Sequence, residues 1–197
     1  MTLLTLIRHG QTDWNRDRRI QGTTDIALNE VGRLQARDAA ERLSAELGDL
    51  SGAHIVCSDL SRARETAQIL SAVWGAEAPM VHSGIRERSY GQAEGLSIDE
   101  FTARWSHDDE AVPGAESRAE LRARAFAAFD QIIAQAPDRG RIFAVSHGAL
   151  IRAVLEHASE GTVPAPGERL ENGSAHTLEA QLDGWRVVDY AASGLPR

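Results

Sequence analysis

Two continuous apolar runs stand out in the pattern of hydrophobic and polar positions. The first is Leu3-Leu4-Thr5-Leu6-Ile7, which stops at Arg8-His9-Gly10. The second is Ile142-Phe143-Ala144-Val145, which stops at Ser146-His147-Gly148. Such runs, bounded by glycine, read as strands buried on both faces of a parallel sheet. Residues just past the carboxyl ends of such strands sit where open α/β sheets bind ligands. If the two strands lie parallel in one sheet, their ends face the same way and His9 and His147 meet in one pocket. Gly10 permits a sharp turn that brings backbone close to a ligand. A lone histidine at a strand end is more often a satisfied polar residue than a catalytic one. Two in matching contexts shift that balance.

Between and beyond these runs, helix and strand patterns alternate. Residues 11–25 form a polar loop with Arg16, Arg18, Arg19 and Gly22. Asn29 is suited to cap a helix whose stripe of Val31, Leu34, Ala39, Leu43 and Leu47 should face the core, with Gly48 ending it. A short strand is expected over 53–57, a turn over 58–61, a helix over 62–74 stopped by Gly75, and a short strand over 80–82. Residues 84–95 read mostly as loop, 98–105 as a short helix and 106–116 as an exposed acidic loop. A long helix is expected over 119–136, with Leu121, Ala125, Phe129, Ile132 and Ile133 inward. A turn over 137–140 leads into the His147 strand, and a helix over 149–155 leaves it. Residues 162–167 are a Pro/Gly loop. Residues 174–178 and 185–188 read as a β-hairpin about Asp183-Gly184. This order predicts a three-layer α/β/α sandwich with a mostly parallel central sheet. No repeat or linker interrupts it, so 1–197 reads as one domain, with 84–116 as an excursion covering the substrate at the sheet's carboxyl edge.

Composition narrows the partners. The chain has 21 basic and 29 acidic residues, a formal net charge of −8, so most of its surface should repel nucleic acid. A small anion is still acceptable to a locally basic site. One cysteine, Cys57, excludes a disulfide framework within one chain and suits a reducing compartment. The first residues lack a basic segment, a long apolar stretch and a cleavage site. No apolar run approaches the roughly 20 residues of a membrane span. A cytoplasmic protein with no membrane partner is expected, either a monomer or a homodimer.

Two charged positions carry candidate chemistry. Arg62 opens a helix just after a strand and turn, where free N–H groups and the helix dipole favour anions. Its planar fork suits phosphate oxygens. The alternative is that Arg62 and Arg64 form surface pairs with Asp59 and Glu65. Glu87, in Arg86-Glu87-Arg88, can act as a general acid near a cleft, or it can be an exposed charged turn. Cys57 does not satisfy C-x-x-x-x-x-R, because position 63 is alanine. A thiol at the end of an apolar strand is more often an inert core residue.

Taken together, these residues resemble the histidine phosphatase superfamily, the phosphoglycerate-mutase-like proteins, over nearly the whole chain. The main carrier is Leu6-Ile7-Arg8-His9-Gly10-Gln11-Thr12-Asp13-Trp14-Asn15. It is followed in the family's order by Gly22-Thr23-Thr24-Asp25 with Leu28, and by Ser58-Asp59-Leu60-Ser61-Arg62-Ala63 with Thr66-Ala67. Then come Arg86-Glu87-Arg88 with Gly91 and Glu94-Gly95-Leu96, Pro113-Gly114-Ala115-Glu116-Ser117, and Ser146-His147-Gly148. The resemblance implies that His9 is the nucleophile and carries a phosphohistidine. Arg8, Arg62 and His147 are then the clamp on the phosphate oxygens. Asn15 would be a further donor, and Glu87 the acid that protonates the leaving oxygen and later activates water. It also implies substrate contacts from Gln21, Gly22, Arg88, Tyr90 and Gly148. No cofactor and no metal are implied, since arginines supply the charge that phosphoryl transfer requires.

The family holds both phosphatases and mutases. Cofactor-dependent mutases carry a longer basic insertion after the Glu87 segment. Here residues 101–116 offer Arg104 alone against Asp108, Asp109 and Glu110. The expectation is therefore a phosphomonoester phosphatase acting on a small phosphorylated metabolite, with mutase activity as the alternative. Gln92-Ala93-Glu94-Gly95 lacks the tryptophan that many phosphatases have before this glutamate, which leaves the particular ester open. A phosphoester-binding module without turnover would usually lack a core residue, and Arg8, His9, Arg62, Glu87 and His147 are all present.

Overall fold

A computed structural model describes residues 2–136, 140–181 and 184–191. Strand β1 (Thr2–Arg8) leads through a one-turn helix α1 (Asp13–Arg16) to helix α2 (Glu30–Leu47). Strand β2 (His54–Cys57), helix α3 (Ser61–Trp74) and the short strand β3 (Met80–Val81) follow. The excursion contains two single turns of 3₁₀ helix, Ser83–Ile85 and Gly91–Ala93, and helix α4 (Ile98–Trp105). Helix α5 (Arg118–Gln135), strand β4 (Arg141–Ser146), helix α6 (Gly148–Ala158) and strands β5 (Ala175–Gln181) and β6 (Gly184–Tyr190) complete the chain. The turn expected at 137–140 and the hairpin tip at Asp183 fall wholly or partly outside the described residues.

The strands form one sheet in the order β3-β2-β4-β1-β5-β6. The β3, β2, β4 and β1 strands are parallel, while β5 and β6 pair antiparallel. The sheet is thus mostly parallel, as the sequence predicts. Side-chain alternation along each strand divides the core in two. Leu4, Leu6, Val56, Ile142 and Ala144 pack with Phe129, Ile132, Leu150 and Val154 of α5 and α6. Ile7, Ile55, Cys57, Phe143 and Val145 pack with Ala40, Leu43, Leu70 and Trp74 of α2 and α3. These clusters are the two interfaces between the sheet and its flanking helix layers, α5 with α6 on one face and α2 with α3 on the other. A third cluster, Ile20, Ala93, Phe101 and Val112, belongs to the excursion and the loop it covers.

Two expectations need correction. Val31, Leu34 and Leu47 are exposed, at 48%, 61% and 38%, and do not face the core. The inner face of α2 is made instead of Gly32, Ala36, Ala39, Ala40 and Leu43. The physical reason is close approach. A Cβ at Gly32 would lie 2.1 Å from the Gln11 carbonyl oxygen, and one at Gly10 would lie 2.2 Å from the Gly32 carbonyl oxygen. Only small residues let α2 press on the loop after β1. The acidic loop 106–116 is likewise not wholly exposed. Val112 is buried, and the Asp109 carboxylate is mostly covered by its pair with Arg88.

Parallel pairing of β1 with β4 places both carboxyl ends on one edge. The ladder runs to Arg8 opposite Ser146, and the His9 amide donates to the Ser146 carbonyl at 3.0 Å. His9 and His147 therefore leave the sheet side by side.

Candidate active site

His9 is held by backbone on several sides. The Asn172 side chain donates to the His9 carbonyl at 2.9 Å, and Thr66 Oγ1 accepts from the Gly10 amide at 3.1 Å. Thr66 in turn donates to the Arg62 carbonyl at 2.8 Å, which ties the loop to α3. The His9 ring faces His147, with centroids 5.1 Å apart. Both are almost completely buried.

The tautomer of His9 follows from its partner. Nδ1 lies 2.7 Å from the Gly10 carbonyl oxygen. A carbonyl only accepts, so Nδ1 carries the proton and Nε2 keeps its lone pair. Burial pushes the ring well below the ordinary imidazole value, and the charges of Arg62 and Arg8 push it further. Burial does the same to His147, reinforced by Arg62, His9 and Arg8. Both rings are thus neutral near pH 7, as a nitrogen nucleophile must be.

Arg8 and Arg62 are buried beside them. Burial lowers each guanidinium from its usual value, and Glu87 opposes the shift in both. Arginine starts so high that both stay charged. Arg62 donates to the carbonyls of Gly22 and Thr24, at 2.7 and 2.9 Å, and Arg8 donates to the carbonyl of Leu170. Arg62 therefore makes no surface pair. Asp59 binds Arg86, and Glu65 binds Arg33. Even so, Arg8 Nε, Arg62 Nε and both ring nitrogens of His147 are buried with no hydrogen-bond partner among the described residues. Buried polar groups are rarely left so. The two guanidinium N–H groups and the one N–H of a neutral His147, gathered around His9, form a set of donors suited to the oxygens of a tetrahedral anion.

Glu87 sits at the amino end of α6. Its carboxylate accepts from the Ala149 and Leu150 amides, at 3.1 and 3.2 Å, and from the Arg88 amide at 2.9 Å. Arg124 on α5 steadies the segment by donating to the carbonyls of Gly84, Arg86 and Glu87. Neither arginine neighbour is turned to it: Arg86 pairs with Asp59, and Arg88 with Asp109 and Glu110.

One cavity of about 280 Å³ is lined by Arg8, His9, Asn15, Gln21, Gly22, Arg62, Glu87 and Tyr90. Ile20, Ile98 and Phe101 give it an apolar wall, and Arg19, His107 and Asp109 form part of its rim. Asn15 spends its side-chain carbonyl on the Thr12 amide, and its NH₂ has no bond among the described residues. Gln21 accepts from the Thr12 hydroxyl at 2.9 Å. Tyr90 is half-buried, its phenol pushed up by burial and by Glu87 and so held protonated. Arg88 is not among the lining residues; it stacks on the Tyr90 ring at 5.2 Å and is saturated by its two carboxylates. Gly148 packs against Arg8, 3.4 Å from a would-be Cβ to Nε. Asn172, Thr66, Arg19, His107 and Asp109 were not singled out as site residues from sequence. Thr66 stands in a motif that carries the resemblance, but with no role attached to it; the others lie on loops with no periodicity or motif spacing to mark them.

Residues 4–193 match the family model of the histidine phosphatase superfamily, branch 1. The chain belongs to that superfamily. It is 36% identical over 191 residues to an uncharacterized phosphatase, PhoE, of Bacillus subtilis (strain 168), covering 96% of this chain and 94% of the relative. It is 34% identical to a probable phosphoglycerate mutase, GpmB, of Photorhabdus laumondii, covering 94% and 88%. Among solved structures it is similar to a mycobacterial glucosyl-3-phosphoglycerate phosphatase in complex with VO₃, with 33% identity and a TM-score of 0.80. That match covers 98% of this chain and 100% of the other. The fold and the order of the site motifs are those of a histidine phosphatase.

Proposed function

We propose that the protein hydrolyses a small phosphomonoester through a phosphohistidine formed at His9 Nε2. The observation that carries this reading is the neutral His9, with Nδ1 engaged by the Gly10 carbonyl, set among unpartnered nitrogens of Arg8, Arg62 and His147. In the first step the Nε2 lone pair attacks phosphorus and the ester P–O bond breaks. Glu87, once it has taken up a proton from solvent as the ester binds, gives that proton to the departing oxygen. In the second step water attacks phosphorus and the P–N bond breaks; the water's proton passes to Glu87 and the electron pair returns to Nε2, which regenerates neutral His9 and releases phosphate. Arg8 and Arg62 balance the charge on the equatorial oxygens, the part a metal plays in other phosphoryl transfers.

Hydrolysis is favoured over mutation of a phosphoglycerate. Mutases must grip a substrate carboxylate beside the phosphate. Beyond the phosphate clamp, Arg19 is the one arginine lining this cavity among the described residues, and its Nη1 already donates to the Gly95 carbonyl. The rest of that end is Ile98, Phe101, Tyr90, His107 and Asp109. The excursion 84–116 then serves as the cover over the leaving group, and the cavity's volume suits a metabolite and not a phosphoprotein.

The test is phosphate release across a panel of phosphomonoesters in the presence of a metal chelator, with interconversion of 3- and 2-phosphoglycerate followed in the same samples. Release from one ester far above the others is expected. Isomerisation without release would refute the phosphatase reading. A requirement for metal would refute the proposed charge balance.

A further inference from the structure

Glu94 lies outside the clamp and is not among the residues lining the cavity, yet its carboxylate gathers an unusual number of donors. Oε1 accepts from the Thr23 amide at 2.9 Å, the Thr23 hydroxyl at 3.1 Å and the Tyr90 amide at 3.1 Å. Oε2 accepts from the Thr24 amide at 3.0 Å and the Thr24 hydroxyl at 2.6 Å. Thr23 and Glu94 are 71 residues apart, so the excursion here clasps the loop after β1.

That loop is the one Arg62 grips from the other side. The Gly22 carbonyl accepts from Arg62 Nη2 at 2.7 Å, and the Thr24 carbonyl from Nη1 at 2.9 Å. The Gly22 carbonyl and the Thr23 amide belong to one peptide group. Its oxygen points at a guanidinium and its N–H at a carboxylate. A single peptide dipole thus lies between two opposite charges, aligned favourably with both. Gly22 adopts a φ of 55°, and a Cβ there would lie 2.1 Å from Glu94 Oε1. Only glycine lets the carboxylate approach so closely.

We propose that Glu94 is a positioning residue: through the Gly22–Thr23 peptide it fixes the direction of the Arg62 guanidinium and so the clamp's grip on the phosphoryl group. The inference rests on reading the His9–Arg62 cavity as the phosphate site. Arg62 gains from such support because its Nε has no partner among the described residues, so its fork is oriented by the two loop carbonyls and depends on how firmly they are held. The electrostatics agree. Burial pushes the Glu94 carboxyl up, but the bonds from Thr24, Thr23 and Tyr90 outweigh it and hold the group below its ordinary value, hence ionised. Glu94 is also one of the negative charges that support buried Arg62.

The experiment is a double-mutant cycle read by calorimetric titration with orthovanadate, a mimic of the transferring phosphoryl group. It compares the parent, Glu94→Gln, Arg62→Met and the double variant. Glutamine is nearly isosteric but turns an NH₂ toward the threonine donors. Loss of such charge-assisted bonds should weaken vanadate binding about tenfold or more. Arg62→Met, which keeps the buried stem, should weaken it more. In the Arg62→Met background, Glu94→Gln should then add less than about twofold, because its route is already cut. Losses that simply multiply would overturn the proposal, since a merely structural glutamate acts regardless of Arg62. Unchanged affinity in Glu94→Gln, with a large loss in Arg62→Met, would overturn it alone. No loss in Arg62→Met would overturn the phosphate-site reading itself. If Glu94→Gln does not fold, Thr24→Val removes one of the clasping bonds and enters the same cycle, with a few-fold loss expected only when Arg62 is present.

Discussion

Substituting Gly32 by alanine offers a test in which two principles predict opposite signs. Gly32 lies in the first turn of α2, and helix propensity alone makes alanine the better residue, by up to about 1 kcal/mol. The contact geometry says otherwise. The new Cβ would lie 2.1 Å from the Gln11 carbonyl oxygen and 2.7 Å from its nitrogen. Carbon and carbonyl oxygen rest at about 3.3 Å or more, so one element must retreat by more than about 1 Å. Neither partner is a flexible side-chain end. Retreat also strains the bonds that seat α2 on the loop, from the Asn29 amide to the Gln11 carbonyl at 3.0 Å and from the Gln11 amide to Gln35 at 2.8 Å.

Overpacking of this kind costs about 1–3 kcal/mol, which exceeds the propensity gain. For a chain of this size each kcal/mol lowers the melting temperature by roughly 2–4 °C. The larger effect falls on catalysis. Gln11 is two residues from His9, and a shift of about 1 Å at a reacting group costs on the order of 10²-fold in rate. Thermal unfolding and kcat/KM for p-nitrophenyl phosphate would be measured for Gly32→Ala, beside Gly52→Ala as control. A Cβ at Gly52 meets nothing within 4 Å. The expected result is a lower melting temperature and a kcat/KM down about 100-fold for Gly32→Ala alone. A raised melting temperature with parental kcat/KM would refute the reasoning, for it would mean that α2 does not set the position of the His9 loop.

Other outcomes follow from the same structure. Glu87→Gln should slow alkyl phosphates far more than p-nitrophenyl phosphate, whose leaving group needs little protonation; equal losses would mean another role for Glu87. His9 and His147 are both pushed below the ordinary imidazole value when folded, so the unfolded chain takes up their protons first. Their contribution is fully present above about pH 6.5 and is lost as pH falls below it, by up to about 1.4 kcal/mol per pH unit for each ring. Urea midpoints between pH 7.5 and 5 check this, and a stability flat or rising toward pH 5 would contradict it. Cys57 is 1% exposed and burial raises its thiol to about 11, so iodoacetamide should leave the native protein unlabelled at pH 8 and label it in denaturant.

What was legible in the sequence had a short-range cause. β1 and β4 are buried on both faces, so their apolar runs are continuous, and His9 and His147 stand at their ends. The inner face of α2 was not legible, because Gly32, Ala36 and Ala40 carry too little side chain to outweigh Val31 and Leu34 in any reading of periodicity. Their smallness is the signal, but only once the close loop is known. Arg88 was read as a substrate contact by resemblance. Its commitment to Asp109 and Glu110 depends on acids some twenty positions on, in a loop whose path no local pattern specifies. Glu94 was visible as part of a motif, but its partners at Thr23 and Thr24 are brought to it only by the fold.

The charges of the site explain why its parts come together. Two buried guanidinium groups cost several kcal/mol each unless compensated. Glu87, Asp25 and Glu94 offset part of that cost for Arg62, and Glu87 for Arg8. The histidines between them add no positive charge, because burial, reinforced by the same arginines, holds His9 and His147 neutral. The field that leaves the clamp short of negative charge therefore adds to burial in keeping a lone pair on His9 Nε2. A phosphoryl dianion entering the cavity meets both at once: it supplies the missing charge to Arg8 and Arg62 and presents phosphorus to an unprotonated nitrogen. Replacing either arginine by a neutral residue should thus damage the reaction twice, by loosening the grip on phosphate and by letting His9 protonate at a higher pH.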